Sequence, residues 1–420
     1  MGSEMCISDR ENIEYFTITH SGKEGKMMLE LFEQAKEMMQ ELVNWRRSLH
    51  QNPELGLSLP QTSAFVQKQL DEMGIAYKTL VNGSAVLAQV GPEEGRCFML
   101  RSDMDALPIQ EETGLPFSSH NPGRMHACGH DLHTVILLGA AKLLKMHEQQ
   151  LHGPVKLLFQ PGEEIFAGAK ACIEEGALEN PKVEAAFAMH VASQLPTGMI
   201  GTGTQAMSSA YGFQIEIEGK GGHGSTPDEC IDPINVGVHI HLALQELISR
   251  ECTPISHTAL TIGQFQAGDV PNVIPQRCVM SGTLRTFDPK VAAFLIRRIG
   301  EVVPAVAQVY RAKATVKELY NVPALLCDAK LTEFFADVIQ KSQPQVQRID
   351  GLHAMGSEDF AFISEQLPAS FFALGSAVGD YTKAVGAHNP KTMFDENCLP
   401  IGAAGYAAVA LAWSAQNNAD

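Results

Sequence analysis

Positive charge is in short supply in this chain of 420 residues. Lys and Arg number 31 against 48 Asp and Glu, which leaves a formal net charge of -17 at pH 7. A chain this acidic does not bind nucleic acid or an anionic membrane through bulk electrostatics, so neither is expected as a partner. An anionic small molecule would have to be held by a few local cations working against the overall field. No apolar run of membrane-spanning length stands out, and the first residues lack the apolar core of a signal peptide, so no membrane association is expected. The nine cysteines (6, 97, 128, 172, 230, 252, 278, 327 and 398) are odd in number and scattered. That spacing excludes a regular disulfide framework and favours reduced thiols in a cytoplasmic protein. Internal repeats and low-complexity segments are absent.

What remains is ordinary globular material, 45% hydrophobic and 19% charged, in a chain longer than one hydrophobic core usually serves. Residues 1–25 are polar without periodicity and are expected to be a poorly ordered extension. Apolar residues at helical spacing predict an amphipathic helix over Met27–Leu49 and a second over Pro60–Met73, with Pro60 in its first turn. Strands are expected near Tyr77–Val81, Ala85–Val90, Cys97–Arg101, Val155–Gln160 and Ala185–His190. Between them fall helices at Thr134–Met146, with Asp131 as its N-cap, and Ala167–Glu175. Such alternation implies a mixed, mostly parallel α/β sheet with helices on both faces.

After about Gly203 the texture changes. Phe213-Gln-Ile-Glu-Ile-Glu alternates with period two, as a sheet with one solvated face does. Helices near Pro233–Arg250 and Pro289–Val309 and strands at His257–Gln266 and Cys278–Thr286 complete a compact α+β unit. From about Asn321 the alternation returns, through Lys330–Gln340, Gln347–Gly351 and Ser370–Gly375, and a helix at Ile401–Ser414 closes the chain. The expected organisation is one α/β domain over 26–204 and 320–420, interrupted by a smaller α+β domain over 205–319.

Several segments carry potential chemistry, and each has a plainer alternative. In Cys128-Gly129-His130-Asp131, residues two apart in an extended segment face the same way, so a thiolate and an imidazole can meet one metal ion; a buried structural Cys beside a helix-start His is the alternative. Gln160-Pro161-Gly162-Glu163-Glu164 follows an apolar strand, where α/β sheets place their ligands. One carboxylate can bind metal while the other faces water, or both are solvated in a turn. His190 ends an apolar strand at the same sheet edge, and His388 sits in the polar turn Gly386-Ala-His-Asn-Pro. Asp103 and Asp105 also follow a strand, placed either to orient a ligand imidazole or to stabilise a turn. The inserted unit adds Gly221-Gly-His223-Gly-Ser-Thr-Pro, Val270-Pro-Asn272-Val-Ile-Pro and Arg285.

In this order the segments resemble the M20 metallopeptidase family, in particular its aminoacylase-like amidohydrolases. The likeness runs from Trp45-Arg-Arg-Ser-Leu-His-Gln-Asn-Pro-Glu-Leu to the last helix. It is carried by Asp103-Met-Asp-Ala-Leu-Pro, His126-Ala-Cys-Gly-His-Asp, Gln160-Pro-Gly-Glu-Glu, Gly222-His-Gly-Ser-Thr-Pro and Gly356-Ser-Glu-Asp-Phe. The resemblance implies a two-metal hydrolase of N-acyl amino acids, with Cys128, His130, Glu164, His190 and His388 holding two divalent ions (Mn, Zn, Co or Ni) and Cys128 bridging them. It makes Glu163 the general base and Asp105 a support behind the ligands. His223 becomes an oxyanion donor, and Asn272 and Arg285 hold the substrate carboxylate. It also implies that the insertion is a lid and dimer interface, so that a homodimer is expected, with His223 reaching the partner's site. M20 carboxypeptidases carry a His where Asp103 stands, so their metal assignments do not transfer simply. Rival readings are a dipeptidase or carboxypeptidase of the same fold, a thiol hydrolase with Cys128 as nucleophile and His130 or His126 as base, and a non-catalytic metal- or ligand-binding protein.

Overall fold

The computed structural model describes residues 22–417. The expected extension therefore falls outside the described residues up to position 21, and helix is already present from Gly22. The single long helix expected over Met27–Leu49 is two, α1 (Gly22–Glu37) and α2 (Met39–Gln51), broken at Met38. Next come α3 (Pro60–Met73), β1 (Tyr77–Leu80), β2 (Ala85–Val90), β3 (Cys97–Asp103), α4 (His130–Met146), β4 (Val155–Gln160), α5 (Gly168–Glu174), β5 (Val183–Pro196), β6 (Met199–Thr202) and β7 (Gln205–Met207). The middle of the chain forms β8 (Ala210–Glu218), β9 (Gly222–His223), α6 (Pro233–Glu246), β10 (Thr258–Ala267), β11 (Val273–Ile274), β12 (Arg277–Thr286), α7 (Pro289–Val309) and β13 (Lys313–Val322). The last stretch holds β14 (Leu325–Leu326), α8 (Ala329–Ser342), β15 (Gln347–Asp350), α9 (Ala361–Ser364), β16 (Ala369–Ala377) and α10 (Cys398–Asn417).

Eight strands join in one sheet of order β1-β2-β4-β3-β5-β16-β6-β15. Its centre, β4-β3-β5-β16, is parallel, and the antiparallel pairings lie toward its two ends. Successive residues of a strand face opposite sides, and both sides are covered. Phe98 and Leu100 of β3 point into a core lined by α1–α4, α8 and α10, while Cys97 and Met99 point into a second core lined by α5 and α9. Near-continuous apolar strands follow from that two-sided burial. The fold is thus the expected mixed α/β sheet with helices on both faces.

Helix α10 corrects one expectation. It is a 20-residue helix long and apolar enough to cross a membrane. Its alanines and glycines kept it from standing out as a hydrophobic run. Its surface is buried against the core, and Gly139 of α4 approaches so closely that a Cβ there would lie 2.9 Å from that of Ala403.

The inserted residues form a separate antiparallel sheet, β10-β12-β8-β13. Its inner face (Phe213, Ile215, Ile217, Met280, Leu284) packs on Ile240 and Leu244 of α6 and Leu295, Ile299 and Val303 of α7. A two-residue ladder pairs β9 with β11, setting His223 opposite Val273.

Candidate metal centre

The C-terminal ends of β3, β4 and β5 lie side by side, with Asp103 in register with Gln160 and Arg101 with Ala188. That edge gathers the candidate residues. His190 lies within β5 rather than at its end, since the strand runs on to Pro196. Gly129 joins Cys128 to His130 at φ 91, and a Cβ there would sit 2.4 Å from Val191 Cγ2. Only glycine allows that turn, which brings the two donors to one point. Gly129 is also the residue that caps α4. Asp131 is not the N-cap but lies in the first turn. Its buried carboxylate instead accepts from Arg46 Nε (2.9 Å) and lies 2.7 Å from His50 Nδ1.

Two sets of donors share one sulfur. Cys128, His130 and His190 form one, and Cys128, Glu164 and His388 the other, all donor atoms within 4.8 Å of one another in each. Cys128 Sγ is 3.3 Å from Nε2 of both His190 and His388. Glu164 bridges between the sets, with Oε1 3.7 Å from His130 Nε2 and Oε2 3.5 Å from His388 Nε2. His388, on a backbone at φ 64, is the exposed member.

The surroundings fix how these side chains point. His190 Nδ1 donates to the Val191 carbonyl (2.7 Å), which leaves Nε2 as a lone-pair donor toward Cys128. Asp105 accepts from the backbone N–H of Glu163 (3.0 Å) and of Glu164 (3.2 Å), so one carboxylate sets the turn that carries both glutamates. Its Oδ1 is also 3.6 Å from His130 Nδ1. Asp103 is otherwise engaged. It accepts from Arg101 Nη1 (2.8 Å) and from His133 Nδ1 (2.5 Å), and His133 Nε2 accepts the Val191 N–H (2.8 Å). Asp103 and His133 are thus a buried brace behind the imidazoles of His130 and His190.

Buried donors without partners test the fit of a metal. Both ring nitrogens of His130 and Glu164 Oε1 are buried and unbonded, a cost of about 1–3 kcal/mol each if nothing else met them. Thiolate, imidazole and carboxylate are ligands for divalent transition metals. The donor set therefore fits. Protons compete with a metal for these donors. Burial and nearby Glu164 push the Cys128 thiol well above its usual range, although His130 opposes them. A nucleophilic thiol needs the opposite shift. Burial lowers the His130 imidazole, but Asp103 and Cys128 outweigh it and hold it well above the ordinary range. Burial pushes Glu164 up to about 7, and burial with His133 pushes His190 down to about 3.

Glu163 is buried beside this set. Its carboxyl is pushed well above the ordinary range by burial and by the charges of Glu358, Glu164 and Asp359. Glu358 and Asp359, in the Gly356-Ser-Glu-Asp-Phe segment, were given no role from sequence. Both bind Arg101 Nη2, at 2.9 and 2.8 Å. Arg101, fully buried, pairs with Asp103, Glu358 and Asp359 at once. Its position directly before the Asp103-Met-Asp105 segment is the signal that could have flagged it.

The candidate residues of the insertion are placed differently. His223 lies in β9 and Asn272 just before β11, where the Gly224 N–H donates to the Asn272 carbonyl (2.9 Å) and His223 Nδ1 accepts from Ser225 N–H (3.1 Å). Among the described residues neither joins the metal-facing groups. Arg285, near the end of β12, does reach out of the insertion, by hydrogen bonds to the turn that precedes Glu358.

Comparison with known proteins places this geometry. Residues 99–412 match peptidase family M20/M25/M40. The chain belongs to that family. M20 relatives include an Arabidopsis thaliana IAA-amino acid hydrolase (ILR1-like 4), 39% identical over 88% of this chain and 84% of its own. The N-acetyl-L-cysteine deacetylase of Bacillus subtilis is 39% identical over 86% and 85%. Among solved structures, a Staphylococcus aureus protein described as a putative aminohydrolase superposes with TM-score 0.86 and 30% identity, covering 92% of this chain and 99% of that one. A B. subtilis protein described as a dinuclear metal binding peptidase of the M20 family superposes with TM-score 0.77 and 33% identity, covering 90% and 98%. As an M20 member this chain is a hydrolase of a family that binds two metal ions.

Proposed function

We propose that this M20 hydrolase cleaves the amide bond of N-acyl amino acids, with Cys128, His130, Glu164, His190 and His388 holding two divalent ions and Glu163 as general base. The observation that carries the reading is the pair of donor sets sharing Cys128 with a buried carboxyl, Glu163, beside them. The names of the relatives, hydrolases of IAA-amino acids and of N-acetylcysteine, support the substrate class. Bound there, two divalent ions supply Lewis-acid polarisation and acidify water.

The chain's own residues supply the rest. Glu163 accepts a proton from the attacking water and returns it to the departing amine, a cycle favoured by a carboxyl whose acid form persists at higher pH than usual. Asp105 holds Glu163 and Glu164 in register through their backbone N–H groups. Arg285 and Asn272 recognise the free carboxylate, Arg285 through its planar fork, and His223 stabilises the oxyanion. The metals are taken to be Mn, Zn, Co or Ni.

A homodimer through the insertion belongs to the same proposal. Ile234, Val238 and Leu242 form an exposed apolar stripe along α6, and β10, with exposed Phe265, is an unpaired sheet edge. Such features invite a second copy. His223 and Asn272, which among the described residues join none of the donor groups of their own chain, would then serve the partner's. The described cysteines are free thiols, which suits the cytoplasm as the proposed location.

The test is a panel of N-acetyl, N-benzoyl and indole-3-acetyl amino acids, run on metal-stripped protein reloaded with each ion. Glu163→Gln should retain its metal and lose roughly 10²–10⁴-fold in kcat. Near-wild-type turnover in that variant would remove Glu163 from the role.

A further inference from the structure

One end of the Arg285 guanidinium is already spent. Nη1 donates to the Met355 carbonyl (3.0 Å) and to the Ser357 hydroxyl (3.0 Å). Two acceptors use both hydrogens of Nη1. Among the described residues, Nε and Nη2 make no further hydrogen bond, and their shared edge is the fork that fits a carboxylate side-on.

The turn that takes Nη1 is itself tied down. Ser208, fully buried, donates its hydroxyl to the Met355 carbonyl (2.9 Å) and its N–H to the Gly356 carbonyl (2.9 Å). The neighbouring Ser209 N–H donates to the carbonyl of Thr286, the residue after Arg285 (2.8 Å), and Ser209 Oγ accepts the Thr286 N–H (3.2 Å). One residue beyond Ser357, Glu358 is locked to Arg101 and groups with Glu163. The hydroxyl that meets Arg285 is therefore fixed relative to the general base.

A single hydrogen bond to Met355 would leave the guanidinium free to swing about that contact. A second acceptor on the same nitrogen fixes its plane. We propose that Ser357 is a positioning residue for substrate selection: its hydroxyl sets the plane of Arg285, so that the Nε/Nη2 edge is presented to the substrate carboxylate at a fixed distance from Glu163. The inference rests on the reading of Arg285 as the carboxylate binder, and predicts discrimination by the carboxylate and not by the acyl group.

The measurement is a ratio. The N-acyl amino acid with the highest kcat/KM in the panel is compared with its own carboxamide, which lacks the negative charge, on metal-loaded full-length protein. Arg285→Ala should collapse the preference for the acid. Ser357→Ala should reduce it about tenfold, the weight of one hydrogen bond to a charged group, chiefly through KM for the acid. Ser357→Thr, which keeps the hydroxyl, should restore the ratio, while the isosteric Ser357→Val should not, and this pair decides the matter if the alanine variant folds poorly. A collapsed ratio in Arg285→Ala with an unchanged one in both Ser357→Ala and Ser357→Val would overturn the role of Ser357 and leave the carboxylate reading standing. An unchanged ratio in Arg285→Ala would sink the carboxylate reading itself.

Discussion

Single side chains here are often more informative for what they lack than for what they touch. His126 is buried beside the Arg46–Asp131–His50 network with neither ring nitrogen bonded, and burial pushes its imidazole down to about 3. In the unfolded chain the same group takes a proton near pH 6.5. Between those values the unfolded state binds a proton that the folded state refuses, so stability rises with pH across that window and is lost as pH falls through it. His190 contributes with the same sign. Taken alone, each such histidine lowers the stability of metal-free protein in urea unfolding by about 1.4 kcal/mol per pH unit between pH 6 and 4.5, a loss that Glu164, pushed up to about 7 by burial, opposes. His126→Leu should remove one proton's share of that slope; an unaltered slope would mean that His126 is solvated. Glu111 shows the opposite balance. Hydrogen bonds from His50 and the Ser119 N–H overcome its burial and hold it at about 2, so its contribution is complete above pH 4.5 and disappears toward pH 2.

At the scale of elements, the exposed stripe on α6 makes a separable prediction. Leu242→Glu places a charge on a face that the inner core does not use. If α6 pairs two copies as proposed, light scattering should report a halved mass relative to the unsubstituted protein, whereas an unchanged mass would place any interface elsewhere. The same elements show what sequence can and cannot reveal. Period-two alternation located β8, and Pro60 in the first turn marked the start of α3, because those signals are local. The break at Met38 was hidden, since both halves share one apolar face. Asp131 looked like a cap because caps and buried ion-pair partners draw on the same residue types. His190, Glu164 and Cys128 were legible as candidates, but their meeting at one point depends on β3, β4 and β5 ending side by side. Arg101 could be flagged by its place just before Asp103, but its partners Glu358 and Asp359 lie nearly 260 positions away and no local signal pairs them with it.

For the whole molecule, the site concentrates acidic groups that a cation relieves. Mn or Zn at about 100 times its Kd should add about 2.7 kcal/mol of stability, seen as a rise in melting temperature. Cys128→Ala should abolish most of that rise, and an undiminished rise would disprove the bridging role. The placement of α10 has a consequence for synthesis. The main core joins Leu132–Leu144 of α4 to Cys398–Trp413 of α10, with the whole insertion made in between. At about 5–20 residues per second, the apolar flank of α4 waits on the order of tens of seconds for its cover. The insertion carries a core of its own and can close as it emerges, while the catalytic half stays open. The nascent chain therefore passes through a state with one folded module and one exposed sheet, the period in which it depends most on chaperones.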